Sequence, residues 1–429
     1  MIKVRYIYSA CIVTETPDLK ILHDPWFTEG VYDGSWYQFP KIDNPLQSIG
    51  DVDAVYVSHI HPDHYDANFL KSYFDKFGPK QVLIANHKKN HLAGKMRADG
   101  INARVLNKPL LIGNTSIEIL PHDTGSLNDI DSAILIKYRE ALKTHCVLNV
   151  NDINFDSSEH DGFLKQLASL AEKVDILLCG YTGAGPYPQT YYDLSDPALI
   201  QEAKRKKQLF LSRYETVVNA IGAKINIPFA GKYVLGGKLS SLNRFRGVAD
   251  PVEVTAIDPK AVVLSDDGGE IDTCSLVPSS CREEVYCENV LAQRLSQISM
   301  ERMAYENLMP MSEVSQLPLK RLLWIAVSNA IKKSECNRDF FYTIKIPDTT
   351  FAVINANNRL TEKSIYFVDD ESQLPPTRTE LYIDARYLFG LLTHIYHWNN
   401  AEVGSQYMVR RVNCSYDRQG KEFLYHLTV

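Results

Sequence analysis

The sequence predicts an α/β protein with a smaller α+β domain at its C-terminal end. Short strand-like apolar runs alternate with amphipathic stretches through residues 4–230. One run, residues 52–58 (VDAVYVS), is apolar almost throughout, the pattern of a strand covered on both faces. The pattern then changes around residues 239–250, which places a domain boundary near residue 250 and gives units 1–250 and 251–429.

Taken in order, residues 4–14 and 19–23 read as a hairpin pair, followed by the strand at 52–58. A helix is expected over 67–77, a strand over 81–85 (QVLIA), and a helix over 89–99. Strands follow at 103–106, 116–120, 133–138, 146–150 and 174–179. A long amphipathic helix spans 197–223, and residues 224–230 (KINIPFA) return to a strand. The basic cluster Lys204, Arg205, Lys206 and Lys207 on that helix reads first as a solvated face, with phosphate binding as the alternative. Residues 251–288 read as irregular, with DDGG at 266–269 as a turn signal. Beyond Asn289 the pattern gives two helices, several strands, a helix over 385–399, and last strands at 406–412 and 423–429.

The chain has 429 residues, of which 45% are hydrophobic and 23% charged, as in ordinary globular proteins. Its net charge of -6 argues against a general nucleic-acid or anionic-membrane binder. No apolar run reaches the length of about 18 residues that a membrane-spanning helix needs. The N-terminal stretch MIKVRYIYSACIVTE is broken by Arg5 and reads as a strand rather than a signal peptide. Eight cysteines are scattered without a CxxC pair, so reduced thiols in a cytoplasm are expected.

The chemistry concentrates in S-H-I-H-P-D-H, residues 58–64, directly after a buried strand. His59 and His61 lie two apart, so an extended backbone points both to one side. Pro62 suits leaving the strand in a tight turn. Asp63 and His64 then sit at the entrance of the next helix. Two imidazoles can serve one ion and the Asp–His pair a second. His122 follows the strand at 116–120 and Asp152 the strand at 146–150, so both can return to the same place. Asp123 is a rival ligand beside His122. A carboxylate at the end of a buried strand, as at Asp152, can bridge two ions.

H-x-H-x-D-H after a strand, a later His, and an Asp after another strand resemble the metallo-β-lactamase superfamily. That resemblance implies a four-layer αββα sandwich with the metals at one edge of the two sheets. The stretches HDPWFTEGVYDGSWYQFP (23–40), DIDSAILIKY (129–138), VLNVNDINFD (147–156), GAGPYPQTY (183–191) and INIPFAGKYVLGG (225–237) are similar to the non-Rieske part of the CMP-N-acetylneuraminate hydroxylase family. GSQYMVRRVNCSYDRQGKEFLYHL resembles that family's C-terminal end. A more distant likeness is to the L-ascorbate-6-phosphate lactonase group. Two departures stand out. The hydroxylases carry a Rieske cluster held by paired Cys and His motifs, and no such motif occurs in these residues. Superfamily hydrolases end with a further His ligand, and INIPFAGKYVLGG offers none.

The expected metal set is therefore His59, His61, Asp63, His64, His122 and Asp152, with Asp63 and Asp152 in catalytic roles. The cofactor is two divalent ions; zinc is taken first, and iron and manganese suit the same ligands. Lys232 sits where a positive side chain replaces metal charge or holds an anionic substrate. Trp36 is a candidate wall of the site, as are Trp26 and Tyr37. The Gly-rich stretch from Tyr181 to Tyr187 is a candidate for substrate contact through its backbone N–H groups. The first expectation is a cytoplasmic metallohydrolase of a small anionic ester, lactone or phosphoester. The alternatives are an iron-dependent oxygenase fed by a separate reductase, and a binding or assembly protein with a degraded site. Partners are a small-molecule substrate, neither nucleic acid nor membrane, and a further copy of the chain through the C-terminal domain.

Overall fold

The structure, a computed structural model, describes residues 1–123, 130–153, 155, 161–170, 173–347, 350–359 and 361–429. Among the described residues, seven strands build the first sheet in the order Gly269–Asp272, Lys3–Tyr8, Cys11–Glu15, Lys20–His23, Ala54–Tyr56, Gln81–Ala85, Ala103–Leu106. Its first four strands pair antiparallel and the rest parallel. Six strands build the second sheet: Ile225–Phe229, Ile176–Gly180, Lys143–Asn149, Ile130–Glu140, Thr115–Asp123, Leu110–Ile112.

Side-chain alternation explains how the sheets stack. Successive strand residues point to opposite faces. Ala54 and Tyr56 enter the core between the sheets, against Ile134, Ile136, Val147 and Ile227. Val55 and Val57 point the other way, onto Leu70, Tyr73 and Met96 of the helices Ala67–Phe77 and His91–Ala98. The second sheet repeats this. Leu135, Leu148 and Leu177 cover Leu167, Leu211 and Tyr214 of the helices Asp161–Leu170 and Pro197–Ile221. Each such side chain contributes about 1.5–3 kcal/mol by leaving water. The result is helix, sheet, sheet, helix, the αββα sandwich that the resemblance implied.

The C-terminal part is α+β. Its sheet runs Ile365–Val368, Phe351–Asn355, Phe341–Lys345, Arg378–Tyr382, Met408–Val412. One apolar cluster joins it to the sandwich: Leu323, Ile344, Leu388, Trp398 and Phe423 pack with Tyr8, Trp26, Tyr32 and Trp36. Polar ties reinforce the join, since Gln406 Nε2 donates to Tyr32 O at 2.7 Å and the Tyr387 hydroxyl to Asp33 Oδ2 at 2.7 Å. No helix among the described residues is long and apolar enough to cross a membrane.

Three elements differ from expectation. Beyond residue 250 the chain still serves the sandwich: Ala261 bridges to Asn226, and Gly269–Asp272 pairs along Lys3–Tyr8. The change of pattern there marks longer loops rather than the edge of the core. The expected helix over 385–399 is two helices, Ala385–Leu392 and Trp398–Val403, parted where His394 takes φ 61°. The expected last strand at 423–429 is instead covered by the helix Arg418–Tyr425. Asp417 caps it by accepting from Gly420 N at 2.6 Å, and Gly420, Phe423 and Leu424 form its buried face at helical spacing.

Candidate metal centre

The strand Ala54–Tyr56 ends at the sandwich edge, and the chain turns outward at Ser58. His64 N and Tyr65 N both donate to His61 O, at 3.0 and 2.8 Å, which closes the turn around Pro62. Asp66 then caps the helix Ala67–Phe77 by accepting from Phe69 N at 2.9 Å. It also accepts from Phe27 N, Thr28 N and the Thr28 hydroxyl, tying the histidine loop to its neighbour. Turn and cap together fix the directions of His59, His61, Asp63 and His64.

Ligand atoms of His59, His64 and Asp152 lie within 4.8 Å of one another. His64 Nε2 is 3.2 Å from Asp152 Oδ2 and 3.5 Å from Asp63 Oδ2. His59 Nε2 is 2.8 Å from His61 Nδ1. The structure thus brings His59 and His64 together around Asp152, joining the two pairs that spacing alone assigned to separate ions. Asp152 follows the strand Lys143–Asn149 and stays one-third exposed, at 33%.

The outward ring nitrogens are engaged. His64 Nδ1 meets Asp24 Oδ2 at 3.1 Å. His59 Nδ1 meets the Ser58 hydroxyl at 2.9 Å and lies 3.5 Å from Asp131 Oδ1. Asp24 also accepts from Ser58 N and Ser58 Oγ, both at 2.7 Å. A carboxylate behind each imidazole fixes ring orientation and raises ligand basicity, the usual arrangement behind metal-bound histidines. The N and O donors and their backing carboxylates fit divalent cations.

Burial sets the electrostatics. It lowers His59 well below the ordinary histidine value, helped by the neighbouring His64 and His61. His64 is pushed down by burial, but Asp152, Asp63 and the Asp24 hydrogen bond outweigh this and raise it well above that value. Burial raises Asp24 and Asp131 above the usual carboxylate range, with Asp152 adding to the rise at Asp131.

Asp63 is held from the far side. The buried Tyr32 hydroxyl donates to Asp63 Oδ1 at 2.5 Å, and burial, then Asp63, keep that phenol well above its usual pKa. His122, at the end of Thr115–Asp123, is buried with its ring 4.7 Å from Phe163. Asp123 points to the opposite face of the strand, where it takes His87 Nδ1 at 2.7 Å, so it is not the alternative to His122.

His59, His61, Asp63, His122 and Asp152 all line one cavity of about 930 Å³, and Trp36 and Tyr187 line it too. Trp36 is also stacked on Tyr233 with ring centroids 3.4 Å apart. Two expected contacts fall elsewhere. Lys232 is buried outside the cavity and pairs with Asp266 at 2.5 Å, so its charge is already neutralised. Tyr181 is buried behind the cavity, and the following Thr182 and Gly183 line it instead.

Four participants escaped the sequence reading. Asp24 belongs to the HDPW stretch, Tyr32 to the aromatic stretch after it and Asp131 to DIDS, all three inside quoted motifs. The fourth is Asn399, whose Oδ1 lies 3.0 Å from His61 Nε2. It comes from the helix Trp398–Val403, so the C-terminal part supplies a roof residue to the centre.

A profile described as Beta-lactamase superfamily domain matches residues 3–129. The fold is that of the metallo-β-lactamases. The chain is 27% identical, over 59% of its length, to a protein of Mycolicibacterium smegmatis named as a Rieske 2Fe-2S iron-sulfur protein, covering 48% of that protein. It is 23% identical, over 54% of its length, to the cytidine monophosphate-N-acetylneuraminic acid hydroxylase of Danio rerio, covering 38% of that protein. The chain thus spans half or less of the length of these curated relatives. Among solved structures, an isothiocyanate hydrolase from Delia radicum gut bacteria aligns at TM-score 0.43 and 15% identity, over 63% of this chain and 98% of that one. The diiron β-hydroxylase CmlA from Streptomyces venezuelae aligns at TM-score 0.38 and 16% identity, over 61% and 52%. The metallo-β-lactamase fold and this donor set together are those of a metal-dependent enzyme.

Proposed function

We propose that the chain is a metal-dependent hydrolase of a small anionic ester, lactone or phosphoester, nucleotide- or sugar-linked compounds included. The observation that carries this reading is the convergence of His59, His64 and Asp152 donors within 4.8 Å beside Asp63, at a cavity of about 930 Å³. Two divalent ions, zinc foremost, would supply Lewis acidity and a more acidic water there.

The chain's own groups do the rest. Asp63 Oδ2 faces the donor cluster while Oδ1 is anchored by Tyr32, so this carboxylate is aimed to take a proton and pass it to a leaving group. Tyr32 remains a donor because burial holds its phenol protonated. Asp24 and Asp131 keep the His64 and His59 rings oriented. Asn399 holds His61 from above. Trp36 and the edge of the Gly-rich segment bound the space left for substrate.

A panel of aryl esters, lactones and phosphodiesters tests the proposal, with zinc, manganese or iron supplied in turn. Metal-dependent turnover of one class, lost in Asp63→Asn, is expected. No turnover with any metal would contradict it. The 21–27% identities to hydroxylases and Rieske-named proteins favour a second reading, an iron-dependent oxygenase fed by a separate reductase. Two irons with a visible absorption band and no hydrolysis would select it.

A further inference from the structure

Lys206 is the strangest charge in the cavity wall. It lies on the helix Pro197–Ile221, lines the cavity, and is only 7% exposed. Its Nζ donates to Ala184 O at 3.2 Å and Tyr187 O at 2.9 Å, both in the Gly-rich segment. An ammonium has three donors, so one remains. The charge that acts on it most is another cation, Arg246, and burial with that neighbour lowers Lys206 to about 7. A buried cation that faces a second cation in place of a counter-charge is costly to keep charged.

Arg246 is brought close by the backbone. Gly247, at φ +64°, lets the chain approach so near the helix that a Cβ there would meet Ala203 O at 2.5 Å. Arg246 is 9% exposed, and its Nε and Nη1 have no hydrogen-bond partner among the described residues. Thr182 lines the cavity, and its hydroxyl oxygen is buried without a partner among the described residues as well. Lys206 and Thr182 thus both line the cavity with donor capacity unspent, and Arg246, outside the lining, is near enough to act on Lys206.

We propose that Lys206 and Thr182 form an oxyanion subsite in the cavity wall, backed by Arg246, that holds a phosphoryl or carboxylate group of the substrate at a distance from the metal donors. The inference rests on reading this cavity as the substrate site, and it makes the substrate bipartite. One end reacts at the histidine cluster, and a non-reacting anionic end is anchored by Lys206. The buried ammonium gains its missing counter-charge when that end binds.

Sulfate, a probe whose charge is constant across neutral pH, tests this by calorimetric titration into the full chain, as purified and after chelation. Saturable sulfate binding is expected in both states. It should weaken about tenfold or more in Lys206→Met and stay within about threefold in Lys206→Arg. Thr182→Val should weaken it by a smaller factor, and serves should Lys206→Met fail to fold by circular dichroism. Acetate competition distinguishes a carboxylate-accepting subsite from one restricted to tetrahedral oxyanions. Sulfate binding that vanishes on chelation, is unchanged in Lys206→Met, or is absent throughout overturns the subsite. Turnover is scored separately. Sulfate binding without hydrolysis removes the hydrolase reading alone, and hydrolysis without sulfate binding removes the subsite alone.

Discussion

Asn399 and His61 are 338 residues apart in sequence and 3.0 Å apart in space. The contact ties the C-terminal part to the metal loop and gives that part a role at the centre. An outer partner of a metal-site histidine typically contributes about 10–100-fold in affinity or activity. Asn399→Ala is expected to lower metal affinity or turnover by about that range, with the fold retained. Metal titration of the chelated variant by calorimetry checks it, and unchanged affinity and turnover would show that His61 needs no such support.

Tyr32→Phe removes one hydroxyl and leaves the ring in its cluster with Trp36 and Trp398. Turnover should fall about tenfold or more while stability falls by about 1.5–3 kcal/mol, the net range for a hydrogen bond to a charged group. Stopped assays alongside melting curves separate the two effects. A stability loss without a rate loss would make the Tyr32–Asp63 bond purely structural.

Lys232 and Asp266 are a buried pair, 7% and 6% exposed. Lys232→Ala leaves Asp266 without its cation and should cost about 3–5 kcal/mol of stability. Turnover per folded molecule should be unchanged, because Lys232 lies outside the cavity. A specific loss of substrate affinity in this variant would restore the substrate role that the strand-end position suggested.

The pH dependence of Lys206 has a definite sign. Its folded value near 7 lies below the ordinary lysine value of 10.5, so the unfolded chain binds more protons between these two pH values. Stability therefore rises with pH from about 7 to about 10, by up to about 5 kcal/mol. The groups facing Lys206 are Arg246 and the Ala184 and Tyr187 carbonyls, while Glu202 and Arg205 of its own helix bond the Tyr187 phenol instead. Lys206→Met should lack this rise, and melting temperatures of both proteins across that range decide the point.

Much of the centre is legible in the sequence because local rules fix it. His59 and His64 follow a buried strand and precede a capped helix, and Asp152 follows another strand. Strand ends at one edge of a sandwich must meet. Asp123 was ambiguous beside His122 until the pleat of one strand separated them. Lys232 shows the opposite failure: a position near a strand end says nothing about where a side chain points, and its partner Asp266 lies 34 residues on. Asn399 carries no local signal at all, since its role exists only once two parts of the chain pack together. The helix Arg418–Tyr425 reads as a strand in the sequence because three adjacent apolar residues, Phe423 to Tyr425, look alike in a strand and at a helix end.

Metal content of protein purified without chelator tests the central claim most directly. Elemental analysis of the wild type and of Asp152→Asn is sufficient. About two ions per chain are predicted for the wild type, falling to about one or fewer in the variant, with the fold unchanged. Clearly substoichiometric metal in the wild type after supply of zinc, iron and manganese, or equal metal in both proteins, would contradict a metal centre built on His59, His64 and Asp152.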